Sequence, residues 1–123
     1  MKFLDSYQEQ SYALLRIVTG FLFLWHGTQK LFGFPTEFTW PMNPMMYAAG
    51  GIETLGGILV MIGLFTRPTA FICSGMMATA YWMAHGTKGF FPLLNGGELA
   101  VFYCFAFLYI ATRGTGVWGI GKD

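Results

Sequence analysis

The chain has 123 residues, a formal net charge of +1, 54% apolar residues and 11% charged ones. Soluble domains carry about 25% charged residues, and a domain this small leaves much of its area wet, so there is too little polar material to cover a water-facing surface. The length allows one domain, the absence of a basic stripe excludes a nucleic-acid partner, and the composition predicts a lipid bilayer as the solvent for much of the surface.

Residues 1–9 are polar and suit a membrane interface. Lys2 is followed by polar residues and no small-residue cleavage site follows the first apolar run, so that run is read as retained rather than as a signal peptide. The first predicted span runs from about Ser11 to Phe32, with an apolar centre from Ile17 to Trp25 between Arg16 and Lys30. A helix needs about 20 residues to cross roughly 30 Å of hydrocarbon, which this one reaches if Arg16 and Lys30 lie at the two edges or face protein. Pro35, Pro41 and Pro44 make the next stretch a loop, and its Phe34, Phe38 and Trp40 suit the interface.

The second span covers about 46–65 and is predicted to stop at Arg67-Pro68, because the residue before proline avoids helical geometry. The third, about 69–85, carries the cleanest hydropathy signal, and a second aromatic loop follows it. The fourth, about 98–112, is predicted to open with Asn95 as N-cap, and Glu98 is placed to complete a capping box. The tail from Gly114 to Asp123 is glycine-rich, with Trp118 at interface depth. The expectation is an all-α integral membrane four-helix bundle running up, down, up, down. Gly20, Gly27, Gly50, Gly56, Gly57, Gly63 and Gly75 fall where helix backbones must approach closely. Lys2, Arg67, Arg113 and Lys122 fall on the side of both termini, and Lys30 and Lys88 on the other. The positive-inside rule then places both termini in the cytoplasm.

An internal echo runs through these spans. His26-Gly27-Thr28 returns as His85-Gly86-Thr87, each followed by a lysine and a turn of Gly, Phe and Pro. Gly50-Gly51-Ile52-Glu53 returns as Gly96-Gly97-Glu98, and both second runs end in Thr-Arg, at Thr66-Arg67 and Thr112-Arg113. Features recurring in the same order predict two helical hairpins related by duplication.

Helical rise puts His26 about 6 Å, Glu53 about 9 Å and Glu98 about 5 Å below the outer ends of their helices, with His85 at the edge. Two imidazoles and two carboxylates therefore fall in one outer layer, beneath Lys30 and Lys88 and beside Trp25 and Trp82. Ionisable groups inside a bilayer are costly unless paired or hydrated, so they are expected to face one another across the bundle. A carboxylate beside an imidazole can exchange a proton near neutral pH. Glu53 and His26 are the candidate catalytic pair. Arg16, Lys30, His85, Glu98, Trp25 and Trp82 are the candidate binding residues for a flat, partly polar molecule such as a quinone or phenol. Each has a plainer role beside it: Glu98 as a capping partner, His85 at a favourable helix end, His26 in an interhelical hydrogen bond, Arg16 snorkelling. Cys73 and Cys104 form no paired motif and read as packing residues. No zinc, P-loop or dinucleotide motif is present, no covalent haem attachment exists, and no metal site is expected.

The blocks Leu15-Arg16-Ile17 with Gly20 and His26 to Gly33, Gly51-Ile52-Glu53 with Gly56-Gly57, Gly63-Leu64, Thr66-Arg67 and Ala70, and Gly89-Phe90-Phe91 with Asn95 to Glu98 together resemble the DoxX family of small bacterial membrane proteins. The resemblance spans nearly the whole chain. It implies four transmembrane helices in the cytoplasmic membrane, and its weight falls on Arg16, His26, Lys30, Glu53 and Glu98. The family takes its name from a subunit of an archaeal thiosulfate:quinone oxidoreductase, and relatives are linked to oxidative-stress complexes and to quinone or catechol tolerance. The implied function is an oxidoreductase-associated membrane subunit that binds a quinone-like or other small hydrophobic molecule. A redox partner subunit and a homo-oligomer are both compatible with it. The residues leave open whether the chain is itself a catalyst, a non-catalytic assembly scaffold or a small transporter.

Overall fold

The computed structural model describes residues 1–123, and every regular element in it is helical. A 3-10 turn at Lys2–Tyr7 leads into α1 (Gln8–Phe32), followed by α2 (Pro44–Ile62), α3 (Thr66–Ala84), the single-turn α4 (Pro92–Asn95) and α5 (Glu98–Arg113).

Local chemistry sets these limits. α1 closes at Gly33, whose left-handed φ of 65° lets its N–H reach Gln29 O. α2 opens with Asn43, whose side chain accepts from the Met46 N–H, and with Pro44 in the first turn, where no N–H is needed. It ends at Gly63, with φ 71° and N–H bonds to Leu59 O and Val60 O.

Three expectations are corrected here. The break between the second and third helices lies at Gly63-Leu64-Phe65, and Arg67-Pro68 does not stop a helix but sits in the first turn of α3. Pro68 is tolerated there because a first-turn N–H has no intrahelical acceptor anyway. Asn95 does not cap α5: it ends α4, and its Oδ1 accepts from Gly97 N–H at 2.8 Å, while Gly97 is the N-cap. The capping box with Glu98 is therefore not formed. The helix long and apolar enough to cross a membrane by length and composition is α2, with mean hydropathy 1.5, rather than the third. α3 is diluted by Thr66, Arg67, Thr69 and Ser74, α1 carries Glu9, Arg16 and Lys30, and α5 has only 16 residues.

α1 packs chiefly on α2 and α3 on α5, with a lesser contact between α2 and α3 and a slight one between α1 and α5. The first pair is close enough for backbones to touch. A Cβ on Gly20 would lie 2.6 Å from Gly57 O, and one on Gly57 would lie 2.8 Å from Leu24 Cα. An aromatic cluster joins the pairs: Phe23 of α1 meets Tyr103 and Phe107 of α5 at ring-centroid distances of 5.0 and 4.7 Å. Only 25 of 123 residues are buried, and large apolar side chains such as Val18, Leu55, Phe71, Phe102 and Phe105 stand on the outer faces of all four long helices.

Candidate functional site

His26 and Lys30 are four residues apart on α1, so they share a face. The backbone contact that continues up the α1–α2 seam fixes what that face meets. A Cβ on Gly27 would collide with Thr54 and would come within 2.7 Å of Gly50 O. One turn above that contact, Lys30 Nζ lies 2.8 Å from Glu53 Oε1, with side chains 13% and 4% exposed. Oε1 is buried, and Lys30 is its one polar partner. Lys30 Nζ also lies 5.3 Å from the Phe38 ring centroid, so the loop after α1 is drawn over the pair by a cation–π contact. His26 turns edge-on to Tyr103, at 5.7 Å between ring centroids, and so reaches from α1 to α5.

These groups line one side of a cavity of about 630 Å³ between the two helix pairs, a volume typical of small-molecule sites. Fourteen of its 21 lining residues are hydrophobic, and its polar positions include Glu53, Lys30, His26, His85 and Lys88. Tyr103 contributes to the floor. At the far side His85 ends α3, and its Nδ1 lies 3.1 Å from Asn95 O. Asn95 is a hub: its Nδ2 donates to Tyr81 OH at 2.9 Å and to Gly89 O at 3.0 Å. No three His, Cys, Asp or Glu side chains cluster in the manner of a metal site.

The structure thus brings together Glu53, His26, Lys30 and His85. It places Arg16, Trp25, Trp82 and Glu98 elsewhere. Arg16 is fully buried at the opposite end, where its guanidinium donates to Val60 O at 3.1 Å, to Thr115 O, to Val117 O at 3.0 Å and to Trp118 O at 2.7 Å. With four of its five N–H donors on carbonyls at that end, Arg16 ties the tail to the end of α2 and lies away from the cavity. Trp25 packs against Phe21 and Phe34 at 5.7 and 5.8 Å between ring centroids. Trp82 is exposed, edge-on to Tyr81. Glu98 is exposed in the first turn of α5, where a carboxylate suits the helix dipole.

Tyr103, Lys88 and Asn95 were not among the predicted site residues. Tyr103 was detectable, because Tyr103, Phe107 and Ile110 repeat at helical spacing and form the buried stripe of α5. Asn95 was not, because its partners come from α3 and the loop. A second hollow of about 420 Å³ opens at the other end beside Tyr12, Tyr109 and Arg113. Its cation is already paired, Arg113 to Glu9 at 2.8 Å.

The DoxX family model matches residues 11–86, which takes in α1, α2 and α3 and with them His26, Lys30, Glu53 and His85. An uncharacterized protein of Haemophilus influenzae is 46% identical, over 94% of this chain and 92% of its own length. No solved structure matches the chain. With a match over more than half its length, the chain belongs to the DoxX family.

Proposed function

We propose that this chain is a single-domain, multi-pass protein of the cytoplasmic membrane, with both termini in the cytoplasm, whose cavity binds a quinone-like molecule in the outer leaflet. The apolar outer faces of all four long helices support the bilayer reading, since patches of that extent are not left to water. The short α5 spans with the help of its flanking loops. Lys2, Arg67, Arg113 and Lys122 at one end, against Lys30 and Lys88 at the other, support the orientation.

The observation that carries the ligand reading is the Lys30–Glu53 pair in the wall of a mainly apolar cavity. A buried ion pair seldom stabilises a fold relative to apolar packing. A carboxylate oxygen can accept from more than one donor, and Lys30 is the one polar partner of Glu53 Oε1, which leaves it able to accept from a ligand hydroxyl as well. In this reading Glu53, with His26 lining the same cavity, takes or returns the proton of a quinol oxygen, and Lys30 stabilises the oxygen's negative charge. Tyr103 and Phe23 form the aromatic floor. Oxidation of a quinol releases two electrons and two protons. In this reading the two electrons go to a redox-active partner subunit carrying a flavin, haem or iron–sulfur centre, and Glu53 and His26 handle only the protons.

The test is thermal stabilisation of the full chain in lipid nanodiscs by a substituted naphthoquinone and its quinol. Wild type is expected to be stabilised, and Glu53→Gln and His26→Ala to lose that response. If both variants respond as wild type does, the site assignment is wrong. The position of the ion pair on the α1–α2 seam also favours a second reading, an assembly scaffold in which the pair only fixes helix register. That reading predicts no stabilisation of wild type by any quinone.

A further inference from the structure

We infer that the cavity selects its ligand by the head and tolerates the body: it takes molecules with one hydrogen-bonding polar end on an apolar body of variable shape. This rests on the cavity reading above and deepens it.

The apolar wall has an unusual make-up. Five of the chain's eight methionines line this one cavity, Met45 and Met46 from the start of α2 and Met76, Met77 and Met83 from α3. The other aliphatic lining residues are alanines and Leu99, with no valine or isoleucine among them. Those stiffer residues are used just below, where Val60 and Ile110 sit in the core. The contrast matters because a β-branched side chain has one strongly preferred rotamer in a helix. Methionine is unbranched, polarisable and able to fill irregular spaces. Met45 and Met83 are 53% and 59% exposed, which leaves their side chains free to change rotamer. Alanines at 49, 80, 84 and 100 leave room for that movement.

The polar positions are built the opposite way. Lys30 and Glu53 are held by a seam with no space for even a Cβ on Gly27, and His85 is held against Asn95. The polar positions of the cavity are therefore fixed and its apolar lining adjustable. A rigid apolar pocket separates bodies differing by one methylene by about tenfold or more. An adjustable wall repacks around each body and loses that discrimination, while the fixed head site keeps its own.

The experiment is calorimetric titration of the full chain in nanodiscs with para-hexylphenol, para-cyclohexylphenol and para-phenylphenol, which share a head and a carbon count in the body but differ in shape. Cyclohexylbenzene serves as the headless control. Wild type should bind the three phenols within about threefold of one another and the headless control about tenfold more weakly. A Met76→Ile, Met83→Ile variant, which nearly conserves volume, should widen the spread among the phenols to about tenfold. If that variant does not fold, the single exposed-site variant Met83→Ile should widen it in the same direction. Wild type already separating the three phenols by about tenfold, or variants leaving the spread unchanged, would overturn the inference while leaving the cavity reading intact. If no phenol binds wild type at all, the proposed function falls and takes this inference with it.

Discussion

The two copies of the His-Gly-Thr and Gly-Gly-Glu letters end in different surroundings. In the first copy Gly27 lies inside α1 against the backbone of α2, and Glu53 lies nine residues beyond Pro44, about 13 Å along the helix axis. That depth puts Glu53 in the wall of the cavity and against Lys30. In the second copy Gly86 falls in a 3-10 turn after α3, and Glu98 is the first residue of α5, exposed. The ends of the copies diverge too. Arg67, from the first Thr-Arg, donates to the Ala111, Thr112 and Arg113 carbonyls that close the second copy's last helix. Arg113, from the second, reaches Glu9 and Tyr109 at the surface and lies over the Tyr12 ring at 4.4 Å, with no bond to a helix-closing carbonyl. The same residues do different work because the two second helices start at different points relative to the motif. Asn43-Pro44 starts α2 well before the glutamate, whereas α5 starts on it.

The sharpest way to break this contrast is to neutralise each glutamate. Glu53→Gln leaves Lys30 buried without its counter-charge and should cost about 3–5 kcal/mol, whereas Glu98→Gln should stay within about 0.5 kcal/mol. Unfolding titrations in mixed micelles would measure both, and equal losses would mean that the two copies are equivalent after all. Replacing Lys30 and Glu53 together by Met and Leu should recover most of the stability while abolishing quinone stabilisation, since removing a whole buried pair is often neutral.

The glycines come next in size. A Cβ on Gly27 collides with backbone, so Gly27→Ala should push α1 from α2 and cost about 1–3 kcal/mol by thermal unfolding. A Cβ on Gly86 meets side chains and no backbone, the exposed Trp82 ring at 2.5 Å and the half-buried Tyr81 ring at 2.8 Å, and side chains can shift where backbone cannot, so Gly86→Ala should cost less than Gly27→Ala. A larger loss at Gly86 would contradict the account of the second copy as a surface turn.

The smallest effect concerns the tail that Arg16 and Arg67 hold. Partial burial pushes the Asp123 carboxyl upward, but hydrogen bonds from the Arg67 N–H, the Thr115 hydroxyl and the Thr66 N–H outweigh it and hold the group below its ordinary value. A depressed carboxyl contributes stability that is complete above the unfolded value and is lost as pH falls through the folded one. Hydrogen exchange at Thr66 and Arg67 should therefore accelerate only in that acid window, and Asp123→Asn should remove the pH dependence.

The helices were legible in the letters because apolar runs and proline or glycine breaks act locally. Glu53 stood out for the same reason: it lies inside a run, with no cap to serve. The errors came where a local rule met a longer-range partner. Arg67-Pro68 reads as a stop by itself, yet Gly63 ends the helix first and the Asp123 side chain receives the Thr66 and Arg67 N–H groups at the start of α3. Asn95 reads as a cap by itself, yet Tyr81 and Gly89 claim its amide. Arg16 reads as a ligand-binding cation, yet four carbonyls from α2 and the tail hold it at the other end of the molecule.

From its amino acids alone this protein is an apolar all-helical chain with DoxX motifs, carrying ionisable residues at the outer ends of its helices. Periodicity fixes the depth and face of a residue within one helix, because helical geometry is local. Only the tertiary structure decided which of those residues meet. Pairing depends on the rotation and separation of helices, and here those are set by glycine contacts between residues distant in sequence, such as Gly20 with Gly57 and Gly27 with Gly50. That packing brought Lys30 to Glu53, turned His26 toward Tyr103, gathered five methionines around the same cavity, and sent Arg16 to the other end of the molecule.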